Sequence, residues 1–197
     1  MSCARRILYV ARHGETDWNA AQRWQGHTDI SLNENGRRQA SGLARALRRT
    51  GLGGIVASDL LRARETASIV AVELGVPLVY IDADLRERSF GCFEGLTREE
   101  CEERHPQAWR AWLDAKQVPP GGEAQGPLAD RMARAITRAA RSVARDDAPA
   151  LVISHGASLR ALLAAATGER PPPIANAGIL RLAWDAVEER VATVEAL

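Results

Sequence analysis

The chain has 197 residues, 46% of them apolar and 26% charged, which excludes a disordered chain and suffices for one substantial core. Its 26 basic and 25 acidic residues leave a formal net charge of +1, which gives no electrostatic reason to expect a nucleic-acid or membrane-surface partner. No run approaches the ~18 apolar residues of a membrane span, and the five between Arg6 and Arg12 are too few for a signal-peptide core. Cys3, Cys92 and Cys101 lack metal-ligand spacing and read as free thiols in a reducing, cytoplasmic compartment.

The first predicted element is a strand at residues 7–11, ILYVA, which breaks into Arg12-His13-Gly14. Asn33 suits the N-cap of a helix with Ala40, Leu43 and Leu47 on one face. A strand at 55–57 leads into a helix at 60–74, stopped by Gly75 and Pro77, and a third strand follows at 76–81. Thr97 with Glu100 forms a capping-box pattern, and Pro106 suits a first helical turn. A helix at 128–144, a strand at 150–153 and a helix at 158–167 before Gly168 come next. Strands at 179–184 and 190–194 close the chain. Strands alternating with helices predict right-handed crossovers and a mostly parallel sheet covered on both faces. The expected organisation is a single domain over 1–197, with a helical insertion at about 85–127 roofing a site at the carboxyl ends of the strands.

Three strand ends there carry chemistry. His13-Gly14 and His155-Gly156 each follow an apolar strand, so two distant histidines can meet in one cleft. His27 and His105 follow no strand. Arg62 sits in the first turn of a helix, where a cation opposes the macrodipole. That is a mild defect on a surface helix, and it makes sense if the side chain reaches an anion held there. Arg64 reads as solvated.

RHGETDWN at 12–19, SDLLRARETA at 58–67, LRERSFGCFEG at 85–95 and SHG at 154–156 resemble, in order, the motifs of the histidine phosphatase superfamily, also called the phosphoglycerate mutase-like family. The resemblance implies an α/β/α sandwich, no cofactor, no metal, and phosphoryl transfer through a phosphohistidine. Matched position by position, it implies His13 as nucleophile and Arg12, Arg62 and His155 as the grip on the phosphoryl oxygens. Asn19 becomes a further polar contact, Gln25 and Gly26 part of the substrate loop, and Glu87 the proton donor to the leaving alcohol. The chemistry agrees. Charge on a transferring phosphoryl group is met by paired guanidinium donors, and neutral imidazole is accessible near neutral pH. His155 is expected as the cation beside a phosphate dianion, and Arg86 and Arg88 are expected to point outward or toward substrate.

The short interval from Glu87 to His155, and the FGCFEGLTREE that follows the acid, resemble the small phosphatase branch. Phosphatase action on small phosphomonoesters is therefore the first reading, with phosphoglycerate mutase second and a non-catalytic phospho-ligand binder third. The partner is a small phosphorylated metabolite, and the chain is expected as a monomer or homodimer. The family's GGES-like turn appears here as Gly121-Gly122-Glu123-Ala124, which departs at position 124. Trp109 and Trp112 read as packing, Trp18 and Trp24 as possible walls of the pocket mouth, and Glu15 and Thr16 as organisers of a turn. The arginine-rich helix at 131–145 reads as a solvated face.

Overall fold

A computed structural model describes residues 5–115, 117–145, 148–169 and 171–196. In chain order the elements are β1 (Arg5–Arg12), α1 (Asp17–Ala20), α2 (Glu34–Leu47), β2 (Gly54–Ala57), α3 (Leu61–Leu74), β3 (Leu78–Ile81), α4 (Arg98–Arg104), α5 (Pro106–Ala115), α6 (Gln125–Ser142), β4 (Ala150–Ser154), α7 (Gly156–Thr167), β5 (Ile179–Asp185) and β6 (Arg190–Ala196). The caps read from sequence are in place: Asn33 accepts from Gly36 N, Thr97 and Glu100 complete a capping box, and Gly75 and Gly168 end helices in the left-handed conformation.

The strands form one sheet in the order β3-β2-β4-β1-β5-β6. The first four in that order are parallel, while β5 runs antiparallel to both β1 and β6. Alternation along each central strand sorts its side chains between two cores. Leu8, Val10, Val56, Ala150 and Val152 face α6 and α7, and Ala11, Ile55, Ala57, Leu151 and Ile153 face α2 and α3. The result is an α/β/α sandwich. A third, smaller cluster, built on Phe90, Phe93, Cys101 and Trp109, lies within the segment 85–127.

The register of the two central strands decides the rest. Arg12 of β1 stands opposite Ser154 of β4, so His13 and His155, the next residue on each strand, leave the sheet side by side. Gly14 is required by a different contact. A Cβ placed on it would sit 2.4 Å from the Gly36 carbonyl oxygen, so the start of α2 rests directly on this turn.

Among the described residues, Cys92 and Cys101 are free, and burial pushes the Cys101 thiol up to about 11, which keeps it protonated. Cys3 lies outside the described residues. No helix among them is long and apolar enough to cross a membrane.

Candidate active site

The His13 and His155 rings lie 5.1 Å apart between centroids, and both are buried. His13 Nδ1 meets the Gly14 carbonyl at 2.6 Å. A carbonyl can only accept, so Nδ1 carries the proton and Nε2 keeps its lone pair. Arg62 Nε donates to that lone pair at 3.3 Å. Burial first, then the Arg62 and Arg12 charges, hold the His13 imidazole well below its usual value, with the Gly14 contact acting weakly the other way. The nucleophile expected from sequence is therefore neutral, with a fixed tautomer and an Nε2 lone pair in a cationic setting.

The cation expected of His155 depends on the phosphate dianion. Burial, followed by Arg62, His13 and Arg12, pushes it well below its ordinary value as well, so without an anion its ring is neutral. Its Nε2 meets Ser58 Oγ at 2.9 Å, while Nδ1 is buried without a protein partner. Among the described residues six buried side-chain polar atoms lack partners, and four of them gather here: Arg12 Nε, Trp24 Nε1, Gln25 Oε1 and His155 Nδ1. Rotating the Gln25 amide by half a turn presents its nitrogen instead of its oxygen. Buried groups of this kind are normally satisfied, and a tetrahedral oxyanion in the pocket that Arg12, Trp24 and Gln25 line offers acceptors to those that reach it.

The remaining residues named from sequence line one pocket of about 230 Å³ together with His13: Arg12, Asn19, Gln25, Gly26, Arg62 and Glu87. Arg62 is fully buried, and burial brings it down to about 10. Its Nη groups donate to the carbonyls of Gly26 and Thr28, each at 2.9 Å, so it also holds the loop that carries them. Asp29 supplies the negative charge at the α3 N-terminus by accepting from Leu61 N at 2.6 Å. Arg12 donates to the Ile174 carbonyl at 2.9 Å. Asn19 Oδ1 is taken by Thr16 in the capping box of α1 and by Asn176, which leaves its Nδ2 group as the end that can donate to a ligand.

Glu87 stands at the N-terminus of α7. Its Oε1 accepts from Arg88 N, Ser158 N and Ser158 Oγ at 2.9 to 3.0 Å, and Oε2 accepts from Ala157 N alone at 3.2 Å. Oε2 is thus the oxygen with room for a proton. The loop that carries it is tied down by residues that sequence reasoning passed over. Ser154 Oγ donates to the Leu85 carbonyl, His27 Nε2 meets the Glu87 carbonyl, and Arg131 makes five bonds. Arg131 reaches the Asp84 and Arg86 carbonyls at 2.7 Å, the Glu87 carbonyl at 2.9 Å and both Glu123 carboxylate oxygens at 2.7 and 2.8 Å.

The arginine-rich helix is therefore not simply a solvated face. Its Arg131 is only 11% exposed, whereas Arg134, at 60%, fits that reading. The one signal that separates them is the carboxylate of Glu123 brought near by the Gly121-Gly122 turn. Arg131→Ala strands the partly buried Glu123 carboxylate and three carbonyls, and is expected to lower unfolding stability by about 1.5–3 kcal/mol. Urea denaturation measures it. A loss below 1 kcal/mol would return Arg131 to the solvated face.

Arg86 points away from the pocket, paired with Asp59 at 2.5 Å. Arg88 lies over the Trp112 ring, 4.7 Å from its centroid, and donates to the Glu123 carbonyl. Of the two tryptophans weighed for the mouth, Trp24 lines it and Trp18 instead covers Gly95, where an added Cβ would meet its ring at 3.2 Å. Trp109 and Trp112 pack against Trp24 and Phe93. Thr16 caps α1, and Glu15 accepts from Asn33 Nδ2, so both organise the turn. Sequence reasoning also missed Thr66, which accepts from Gly14 N, and Asn176, which donates to the His13 carbonyl. Thr66 lies within the 58–67 motif, where only its arginines were weighed, and Asn176 lies in none of the four motifs.

A family profile described as histidine phosphatase superfamily (branch 1) matches residues 8–196. The chain belongs to that superfamily. It is 36% identical over 159 residues to a metal-independent phosphoserine phosphatase of Arabidopsis thaliana, covering 79% of this chain and 66% of that one. It is 37% identical over 169 residues to a glucosyl-3-phosphoglycerate phosphatase of Mycolicibacterium vanbaalenii, covering 83% and 75%. The structure of a mycobacterial glucosyl-3-phosphoglycerate phosphatase with VO3 superposes with a TM-score of 0.83 and 32% identity, covering 98% of this chain and 100% of that one. Phosphatase-named relatives and neighbours make the chain a phosphoric monoester hydrolase of the histidine phosphatase type.

Proposed function

We propose that the chain hydrolyses phosphomonoesters of small metabolites through a phosphohistidine on His13. The observation that carries this is the lone pair on His13 Nε2, set by the Gly14 carbonyl and flanked by Arg62. Nε2 attacks phosphorus as the ester P–O bond breaks, and the leaving alkoxide takes its proton from Glu87 Oε2. Water then attacks the phosphohistidine and gives a proton back to Glu87, the P–N bond breaks, and inorganic phosphate leaves. Arg12, Arg62 and Asn19 grip the equatorial oxygens throughout, Gln25 and the Gly26 loop close over them, and the bound dianion favours a proton on His155. The segment 85–127 roofs the site.

Among the described residues no group of three or more His, Cys, Asp or Glu side chains is placed to hold a metal ion, and the cationic groups that would face the phosphate are arginines. Release of nitrophenol from its phosphate is therefore expected to continue undiminished in EDTA. Loss of activity in the chelator and its return with magnesium would overturn the mechanism. In the same assay, phosphate release from phosphoserine and phosphoglycerates is expected to exceed any interconversion of the phosphoglycerates. The reverse would make the chain a mutase.

A further inference from the structure

The wall of the phosphate pocket does not end at Trp24 and Phe90. Both residues, with Ala157 and Arg160, also line a second cavity of about 660 Å³. Its apolar surface comes from Trp24, Phe90, Trp112, Leu128, Ala161 and Ala164, so aromatic rings face α7 across the space. This size lies in the range of about 300–1,000 Å³ that takes drug-sized ligands, far more room than a seryl or glyceryl group fills.

Arg88 is one of the polar side chains of this cavity, with Arg160, Gln125 and Glu169, and it stands among the aromatic rings. It is half-buried, and burial is the main influence on it, lowering it from its usual value. Its guanidinium carbon lies over Trp112, 4.7 Å from the ring centroid, and Nε is used on the Glu123 carbonyl. Among the described residues no carboxylate lies within ion-pair distance of it, whereas Arg23, Arg86 and Arg131 nearby all have one. Its Nη groups keep their donors in a fork oriented by the ring beneath. Glu169 also lines this cavity, but it is exposed, and solvent screens its charge.

We propose, building on the phosphatase reading, that this chamber holds the alcohol part of the substrate and that Arg88 on its Trp112 platform binds a second anionic group there. The preferred substrates are phosphomonoesters of bulky alcohols with an apolar face and a carboxylate or like anion remote from the phosphate. Trp112 and Arg88 determine specificity and take no part in bond breaking.

Three esters test this: ethyl phosphate, 2-naphthylmethyl phosphate, and the same naphthylmethyl ester carrying a 6-carboxylate. All three release poorly stabilised alkoxides, so all make similar demands on the proton donor. The wild-type kcat/KM is expected to rise at each step of that series, on the order of tenfold each. Arg88→Gln should collapse the ratio between the carboxylated and plain naphthyl esters toward one. Ala164→Trp, which fills the chamber from α7, should collapse the ratio of either naphthyl ester to ethyl phosphate. Equal wild-type kcat/KM for the three esters would overturn the chamber, as would unchanged ratios in either variant. No turnover of any ester by the wild type would overturn the phosphatase reading itself, and this inference with it.

Discussion

Alanine at position 13 is expected to abolish both turnover and covalent labelling, with a loss of several orders of magnitude in kcat. Quenching the wild type with labelled substrate should trap a phosphoryl group that is labile in acid and stable in base, as a phosphoramidate is. His13→Ala should trap none while retaining its circular dichroism and melting temperature, because His13 follows the last residue of β1 and belongs to neither sheet core. Label on a serine or cysteine would refute the mechanism. The pH profile carries a second sign. Attack needs the neutral ring, and burial with Arg62 and Arg12 holds His13 well below 6.5. The acid limb of kcat/KM is therefore expected well below pH 6.5, so activity stays level through pH 6. Stability without phosphate runs in the same direction. The unfolded histidines take up protons near 6.5 while folded His13 and His155 do not, so stability is full above that pH and falls as pH drops below it.

How far the site was legible depends on the reach of each signal. The two histidines were readable because each sits where an apolar strand meets a helix, and a parallel sheet puts such places on one edge. Their exact juxtaposition follows from the pairing of Arg12 with Ser154, which no single-sequence pattern supplies. The direction of β5 and β6 was within reach. The two strands, read at 179–184 and 190–194, are joined by far fewer residues than the dozen or so a parallel crossover needs, which forces a hairpin. Gly14 looked like part of the anion site, yet its requirement comes from contact with Gly36.

Arg131 shows the opposite limit. Its helix has the composition of a solvated face, and an arginine that ends on three carbonyls and a carboxylate looks identical in sequence to one in water. His27 was set aside because it follows no strand, but it reaches the Glu87 carbonyl from the loop after Gly26. Side chains that act by holding backbone leave little trace in sequence, because the partner has no residue identity. Glu87, the proposed proton donor, could be located from its motif. What keeps it in place could not.

That donor gives the second large effect. If Glu87 protonates the leaving oxygen, its removal should matter most where the leaving group is a poor one. Glu87→Gln keeps the shape, and with its oxygen in the Oε1 place it still accepts from Arg88 N and Ser158 N, so only the Ala157 N–H loses its acceptor while the acid is gone. Nitrophenolate departs almost unaided, so kcat/KM on nitrophenyl phosphate should fall modestly. On alkyl phosphates the loss should be larger by the worth of general acid catalysis, about 10²–10⁴-fold. Arg62→Lys gives the contrasting result. An ammonium cannot hold the Gly26 and Thr28 carbonyls and a phosphoryl oxygen together, and both esters present the same phosphoryl group, so both should suffer alike. Equal losses for Glu87→Gln on the two ester types would remove it from the acid role. The other carboxylates offer no ready substitute, since Glu123 is held by Arg131 and Glu15 by Asn33. His155, its ring 5.1 Å from that of His13 and its Nδ1 without a protein partner among the described residues, would then be the next donor to test.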